Sequence, residues 1–416
     1  MSSYEVISAI ILLAAVFAYI NFRFIKCPGT IGIMALSLIF SVVIAFSGSF
    51  FPLFSSYVVS AVSSVNFQKV LMEIMLSFLL FAGAMHINLT ELKKVRLSVI
   101  TMASVGILIS TALIGLFTFL LFRFFDFDIP LIYCLVFGAL ISPTDPVAVL
   151  GILKESKISK SLELKISGES LFNDGVAVVL FIGLSEIAVR GIETVSVSDV
   201  ALLFLQEAGG GIAFGLMLGY IGFWSLRSID NYNIEVLITV ALVMAGYTLA
   251  NHIHISGPLA IVVAGILTGN KAKKLAMSDL TRDYLTKFWE LIDEILNAIL
   301  FLLIGLEMLV IKTSNTLLSL SLLVILLVLI SRWISVSLPT LFLRRYITLE
   351  KHTLTILTWG GLRGGISVAL ALSLPEALFR NEFVQITYVV VVFSILVQGL
   401  TIGKLAARLA GAQSQR

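Results

Sequence analysis

Between Gly168 and Gly175 the chain reads Gly-Glu-Ser-Leu-Phe-Asn-Asp-Gly. Two carboxylates, a hydroxyl and an amide thus fall within six residues. The stretch opens an apolar run from Val176 to Leu184, long enough to continue into a membrane. A carboxylate at membrane depth costs roughly 2.5–3.5 kcal/mol on insertion scales, so one placed there calls for a task and a partner. The expected partner of Asp174 is Asp145, in Ser142-Pro143-Thr144-Asp145-Pro146 on the preceding apolar segment. On a helix, Ser170 and Asp174 share a face, with Glu169 and Asn173 on the adjacent stripe. Asp174 follows Lys165 by nine residues, about 13 Å of helix. That is close to the middle of a hydrocarbon core about 30 Å thick.

Two carboxylates, a serine hydroxyl and a backbone carbonyl freed by the prolines make an all-oxygen site. Hard cations take such ligands, and no thiolate or His pair offers a transition-metal site. Burial and a like-charged neighbour favour the protonated carboxylate, whereas a bound cation favours the ionised one. A proton and a cation therefore compete for Asp174, and competition combined with alternating access is antiport. Glu169 lies nearer the chain's basic flank and reads as structural. A buried arginine should answer it, Arg332 first and Arg363 second, because an arginine at mid-membrane needs such a partner. Asn173 can hold the site by hydrogen bonds without adding charge. One net carboxylate per binding event then predicts exchange of one cation for one proton.

The elements that must position these residues are membrane helices. The chain has 416 residues, of which 59% are hydrophobic and 13% charged, a balance foreign to soluble domains of this size. Crossing the core takes about 20 apolar residues. Such runs number thirteen, roughly 6–22, 30–48, 70–88, 98–122, 131–153, 168–189, 199–226, 234–251, 257–270, 289–311, 317–342, 354–374 and 384–407. They are continuous rather than alternating, which excludes a barrel. With the N-terminus outside, 21 of the 28 basic residues fall on the cytoplasmic side and 5 on the other. Arg332 and Arg363 remain inside spans. The positive-inside rule thus supports thirteen spans, an external N-terminus and a cytoplasmic C-terminus. No loop is long enough for a soluble regulatory domain, and no cleavable signal peptide is apparent. The stretch Gly48–Ser64 is expected on the outer interface.

Two spans are broken by their own sequence. The fifth has Pro143 and Pro146 around Asp145. The twelfth has Gly360, Gly361, Gly364 and Gly365 around Arg363. Taking the seventh span (199–226) as a linker leaves two six-span halves, residues 1–189 and 234–407, with the break in the fifth span of each. An offset of seven spans gives the halves opposite topology. Paired interrupted helices in inverted repeats point to a transporter site at the repeat interface.

Other polar groups draw plainer readings. Cys27 and Cys134 read as small buried hydrophobes. His86 reads as an interface or loop contact, and His252 and His254 as solvated loop residues. Glu290, Asp293 and Glu294, just inside the tenth span, are candidates for a cytoplasmic funnel that attracts cations. A channel would call for a pore loop or a ring of charges, which is not visible. An enzyme would call for a nucleophile with its base, which the site lacks.

The segments Ser142-Pro143-Thr144-Asp145-Pro146-Val147-Ala148, Gly168 to Gly175, and Gly360-Gly361-Leu362-Arg363-Gly364 resemble the sodium/proton exchangers of the cation:proton antiporter superfamily. The Asn173-Asp174 pair is similar to the electroneutral, NhaP-like branch. The resemblance spans the whole chain. It implies a thirteen-helix fold, a homodimer, a core domain moving against a dimerisation domain, and a place in the cytoplasmic membrane. It implies Na⁺ or Li⁺ exchanged for H⁺, with K⁺/H⁺ exchange or another proton-coupled ion carrier as the alternative. It implies cation ligands at Asp174, Asp145, Ser170 and the Thr144 backbone carbonyl, and a Glu169–Arg332 pair, Arg332 lying in Ser331-Arg332-Trp333. No cofactor beyond the transported ions and no nucleic-acid partner is expected. One departure stands out: many prokaryotic members carry a glutamate on the third span, where this chain has Phe81-Ala82-Gly83-Ala84.

Overall fold

The computed structural model describes residues 3–155, 159–191, 197–311, 314–343 and 352–414. Of the basic residues counted above, Lys157, Lys312, Arg344, Arg345, Lys351 and Arg416 lie outside them. The described residues form helices and connecting turns, and each of the thirteen expected spans has a helical counterpart. Among the described residues, nine helices are long and apolar enough to cross a membrane by length and composition. The remaining four spans are those whose sequences are irregular. The fifth and twelfth are broken, the ninth (Gly257–Ala272) is short, and the tenth (Asp279–Glu307) is charged at its start.

Helix starts differ from the hydropathy reading in one consistent way. The fourth, sixth and tenth spans were expected from residues 98, 168 and 289. They begin at Leu89, Lys160 and Asp279, eight to ten residues earlier. Each begins beyond a polar N-cap. The Asn88 side chain accepts from the Thr90 and Glu91 amides, Ser159 from Leu162, and Ser278 from Thr281. A hydropathy window measures the apolar length, whereas the cap fixes where the helix starts. All three polar overhangs lie at one end of the molecule, together with the turn between the first two spans. We call this the basic end.

The helices sort into two bundles. In one, the scaffold, the second span packs on the tenth, the third on the ninth and tenth, and the seventh on the ninth. In the other, the core, the fourth span packs on the fifth, the fifth on the sixth, and the eleventh on the fourth and thirteenth. Lipid is as apolar as leucine, so close approach between helices rests on small residues. The fourth and fifth spans meet so closely that a Cβ on Gly138 would lie 2.3 Å from the Thr111 carbonyl oxygen. Phe137 and Phe383 stack at 5.1 Å and tie the fifth span to the thirteenth. In the scaffold, Trp289 packs on Phe81 and donates its indole N–H to Thr239. The helix Pro52–Ser63 has no buried residue and exposes Leu53, Phe54 and Tyr57. That apolar exposure suits a membrane interface.

Candidate functional site

The two broken spans meet inside the core bundle. The fifth consists of half-helices 5a (Leu131–Ile141) and 5b (Val147–Glu155), and the twelfth of 12a (Thr353–Trp359) and 12b (Gly365–Leu372). Each break frees carbonyls at one helix end and amides at the next, and the chain answers them with three ionisable side chains. Arg363 donates Nη1 to the Ser142 and Pro143 carbonyls, which close 5a. Arg332 donates Nε and Nη2 to the Leu357 carbonyl of 12a, at 3.3 and 3.2 Å. The Asp145 carboxylate accepts from the Val147 amide at 2.8 Å, capping 5b. The Asp145 amide donates to the Leu362 carbonyl at 2.8 Å, so the two extended segments are joined by their backbones. Cations at helix C-termini and an anion at an N-terminus are the arrangement that the helix dipole favours.

The unbroken sixth span (Lys160–Arg190) crosses beside this junction. Asn173 reads the Thr144 side of the break. Its Nδ2 donates to Thr144 Oγ1 at 2.8 Å, and its Oδ1 accepts from the Thr144 amide at 3.4 Å. Ser170 Oγ lies 3.0 Å from the same Thr144 hydroxyl. Glu169 is buried and pairs with Arg332 Nη1 at 2.5 Å. Arg332 thus neutralises the carboxylate while capping 12a. Arg363, the second candidate partner for Glu169, is spent instead on the end of 5a.

Asp174 and Asp145 both face a cavity of about 890 Å³. Thr144 lines it with them, as does Asp293 from the tenth span. Ser170 is not among the lining residues; its hydroxyl lies behind Thr144. The cavity reaches the basic end, where Thr30, His86, Glu91 and Glu163 form its mouth. Glu91 and Glu163 stand on the polar overhangs of the fourth and sixth spans. Of the expected acidic funnel, Asp293 and Glu294 line the cavity, whereas Glu290 is exposed and not among the lining residues. Ala82 is fully buried and contributes nothing to the lining.

Two supports were not foreseen. Ser394 Oγ accepts from the Arg363 amide and donates to Gln398, whose own amide donates to the Trp359 carbonyl. Their only signal in sequence is a Ser and a Gln four residues apart in an apolar span. Gly364 packs against Asp145 so tightly that a Cβ there would stand 2.2 Å from the carboxylate. Gly364→Ala should therefore displace Asp145 from the Val147 amide. An error of about 1 Å at a site can lower its rate a hundredfold. We expect transport in proteoliposomes to fall at least tenfold, with the detergent-extracted protein still monodisperse. Native rates in the variant would show that Asp145 is not held where transport needs it.

Two helical bundles, crossed broken helices and an acidic cavity reaching mid-bundle define a multi-pass membrane ion transporter. Comparison with known proteins makes this specific. The sequence pattern described as "Sodium/hydrogen exchanger, transmembrane" matches residues 11–408. The chain belongs to that family. It is 46% identical over 414 residues to the Na⁺/H⁺ antiporter NhaP of Pseudomonas aeruginosa, covering 98% of this chain and 97% of that one. It is 36% identical over 346 residues to the Na⁺/H⁺ antiporter NhaH of Halobacillus dabanensis, covering 82% and 84%. Its fold is similar to that of the sodium proton antiporter MjNhaP1 from Methanocaldococcus jannaschii at pH 8. The TM-score is 0.77 at 20% identity, covering 99% of this chain and all of that one.

Proposed function

We propose that the chain exchanges Na⁺ for H⁺ across the cytoplasmic membrane, one for one, with both ions competing for Asp174. The observation that carries this reading is the meeting of Asp174 and Asp145 in one cavity that reaches a single end of the molecule. Asn173 is neutral and Glu169 is already answered by Arg332. At the junction of the broken helices the exchangeable charge is thus left to the two aspartates. The Thr144 carbonyl, freed by the break, and Ser170 complete an oxygen-ligand set for the cation in the reading we favour.

The distribution of basic loop residues assigns the basic end to the cytoplasm, which makes this an inward-facing arrangement. Exchange follows if the core bundle, with both aspartates, moves against the scaffold and turns the site outward. The broken fifth and twelfth spans fall at equivalent places in two inverted halves, 1–189 and 234–407, which supports such a movement. A homodimer built on the scaffold bundle fits this scheme. The chain acts as a carrier and not as an enzyme, and it needs no cofactor, since Na⁺ and H⁺ are its cargo.

Proteoliposomes holding the purified protein and an imposed pH gradient test the assignment. Addition of Na⁺ should collapse the gradient, and Li⁺ should substitute. Collapse with K⁺ but not Na⁺ would keep the mechanism and change the ion; silence with all three would end the reading. Competition adds a pH signature. Below the proton affinity of the site, the apparent KM for Na⁺ should rise roughly tenfold per unit fall in pH, with Vmax unchanged. A KM independent of pH across the active range would separate the proton and cation sites.

A further inference from the structure

The tenth span belongs to the scaffold, yet it presents polar groups to the same cavity. Asp293 and Asn297 lie four residues apart on one face of this helix, and both line the cavity together with Asp145 and Asp174. Asn297 is 3% exposed. Its amide stands one turn beyond the Asp293 carboxyl. Its Oδ1 has no partner among the described residues. Buried amide oxygens are nearly always satisfied, so an unpaired one at a cavity wall marks the place of a missing donor or cation.

The surroundings select a cation. The unpaired atom of the Asn297 amide is its oxygen, which can only accept. A carboxylate and an amide oxygen one turn apart are both hard ligands, and a small monovalent cation can complete its shell with water. The opposite wall carries Asp145 and Asp174, which raise the local cation concentration. Among the lining residues, the basic groups are His86 and Lys160, both at the mouth. The two buried arginines are engaged elsewhere, Arg332 by Glu169 and Arg363 by the 5a carbonyls.

We infer that Asp293 and Asn297 form a second cation subsite, fixed to the scaffold, where the ion is held in the same cavity as Asp174. This rests on the exchange reading above. Because the pair does not ride on the core bundle, it serves loading and release rather than the crossing itself.

The test uses the full chain in proteoliposomes, with Na⁺-driven collapse of a pH gradient as readout. Asp293→Asn removes the charge and Asn297→Leu removes the acceptor. Each should raise the apparent KM for Na⁺ roughly tenfold, with Vmax within about twofold of native. Asn297→Asp keeps an oxygen ligand and should hold KM at or below the native value. Native KM in both Asp293→Asn and Asn297→Leu overturns the subsite. So does a fall in Vmax at unchanged KM, which marks a merely structural role. If Asp293→Asn fails to insert, Asn297→Leu decides alone. A native protein that does not exchange Na⁺ overturns the preceding reading instead. The subsite is then decided by crystals soaked in Tl⁺: anomalous density between Asp293 and Asn297 supports it, and its absence there overturns it.

Discussion

In proteoliposomes carrying Asp174→Asn, added Na⁺ should leave the pH gradient standing. Asparagine keeps the shape and an oxygen but can neither release a proton nor offer a charge to the cation. Two unit charges 4 Å apart at an effective dielectric constant of 20 attract by about 4 kcal/mol. Loss of that term alone lowers occupancy roughly a thousandfold, and loss of the proton site uncouples what remains. Exchange should therefore fall below detection, while the variant inserts and purifies like the native protein. Asp145→Asn should be less severe. The Asp145 carboxylate already accepts from the Val147 amide at the start of 5b, so part of its charge is committed to the helix end. Full activity in Asp174→Asn would remove the central claim about this site, whichever ion is carried.

Much of this was legible because the membrane makes polar residues conspicuous. Asp145, Asn173 and Asp174 stand out against apolar surroundings, and the prolines and glycines of the two breaks announce irregular backbone that must face a cavity or protein. The number of spans was legible from apolar length and the alternation of basic loops. The helix starts were not, because Asn88, Ser159 and Ser278 are caps whose effect is local and invisible to a hydropathy window. The task of Arg363 was hidden for a different reason. A sequence states that a buried arginine needs acceptors, but only the crossing of 5a and 12b shows that they are the Ser142 and Pro143 carbonyls. Asn297 was equally silent. One asparagine in an apolar helix gains meaning when its face of the tenth span is seen to border the cavity that holds Asp174.

The largest effect on stability should come from Arg332. Its guanidinium does two things at once: it pairs with Glu169 and it donates twice to the Leu357 carbonyl that ends 12a. Arg332→Met leaves the Glu169 carboxyl 1% exposed and without its partner. Removing one member of a buried pair typically destabilises by about 3–5 kcal/mol. Glu169→Gln should be milder, since the guanidinium keeps the Leu357 carbonyl and glutamine can still accept from it. The double variant Glu169→Gln/Arg332→Met removes both charges together. It should recover a good part of the loss, but not that due to the uncapped end of 12a. The expected order of melting temperature in detergent is native, then Glu169→Gln, then the double variant, then Arg332→Met. A double variant as unstable as Arg332→Met would mean that capping 12a, not answering Glu169, is what the arginine chiefly does. If Arg332→Met melts with the native protein, the pair holds nothing, and the junction of the broken helices is secured by its other contacts, Arg363 and the Asp145–Leu362 backbone bond among them.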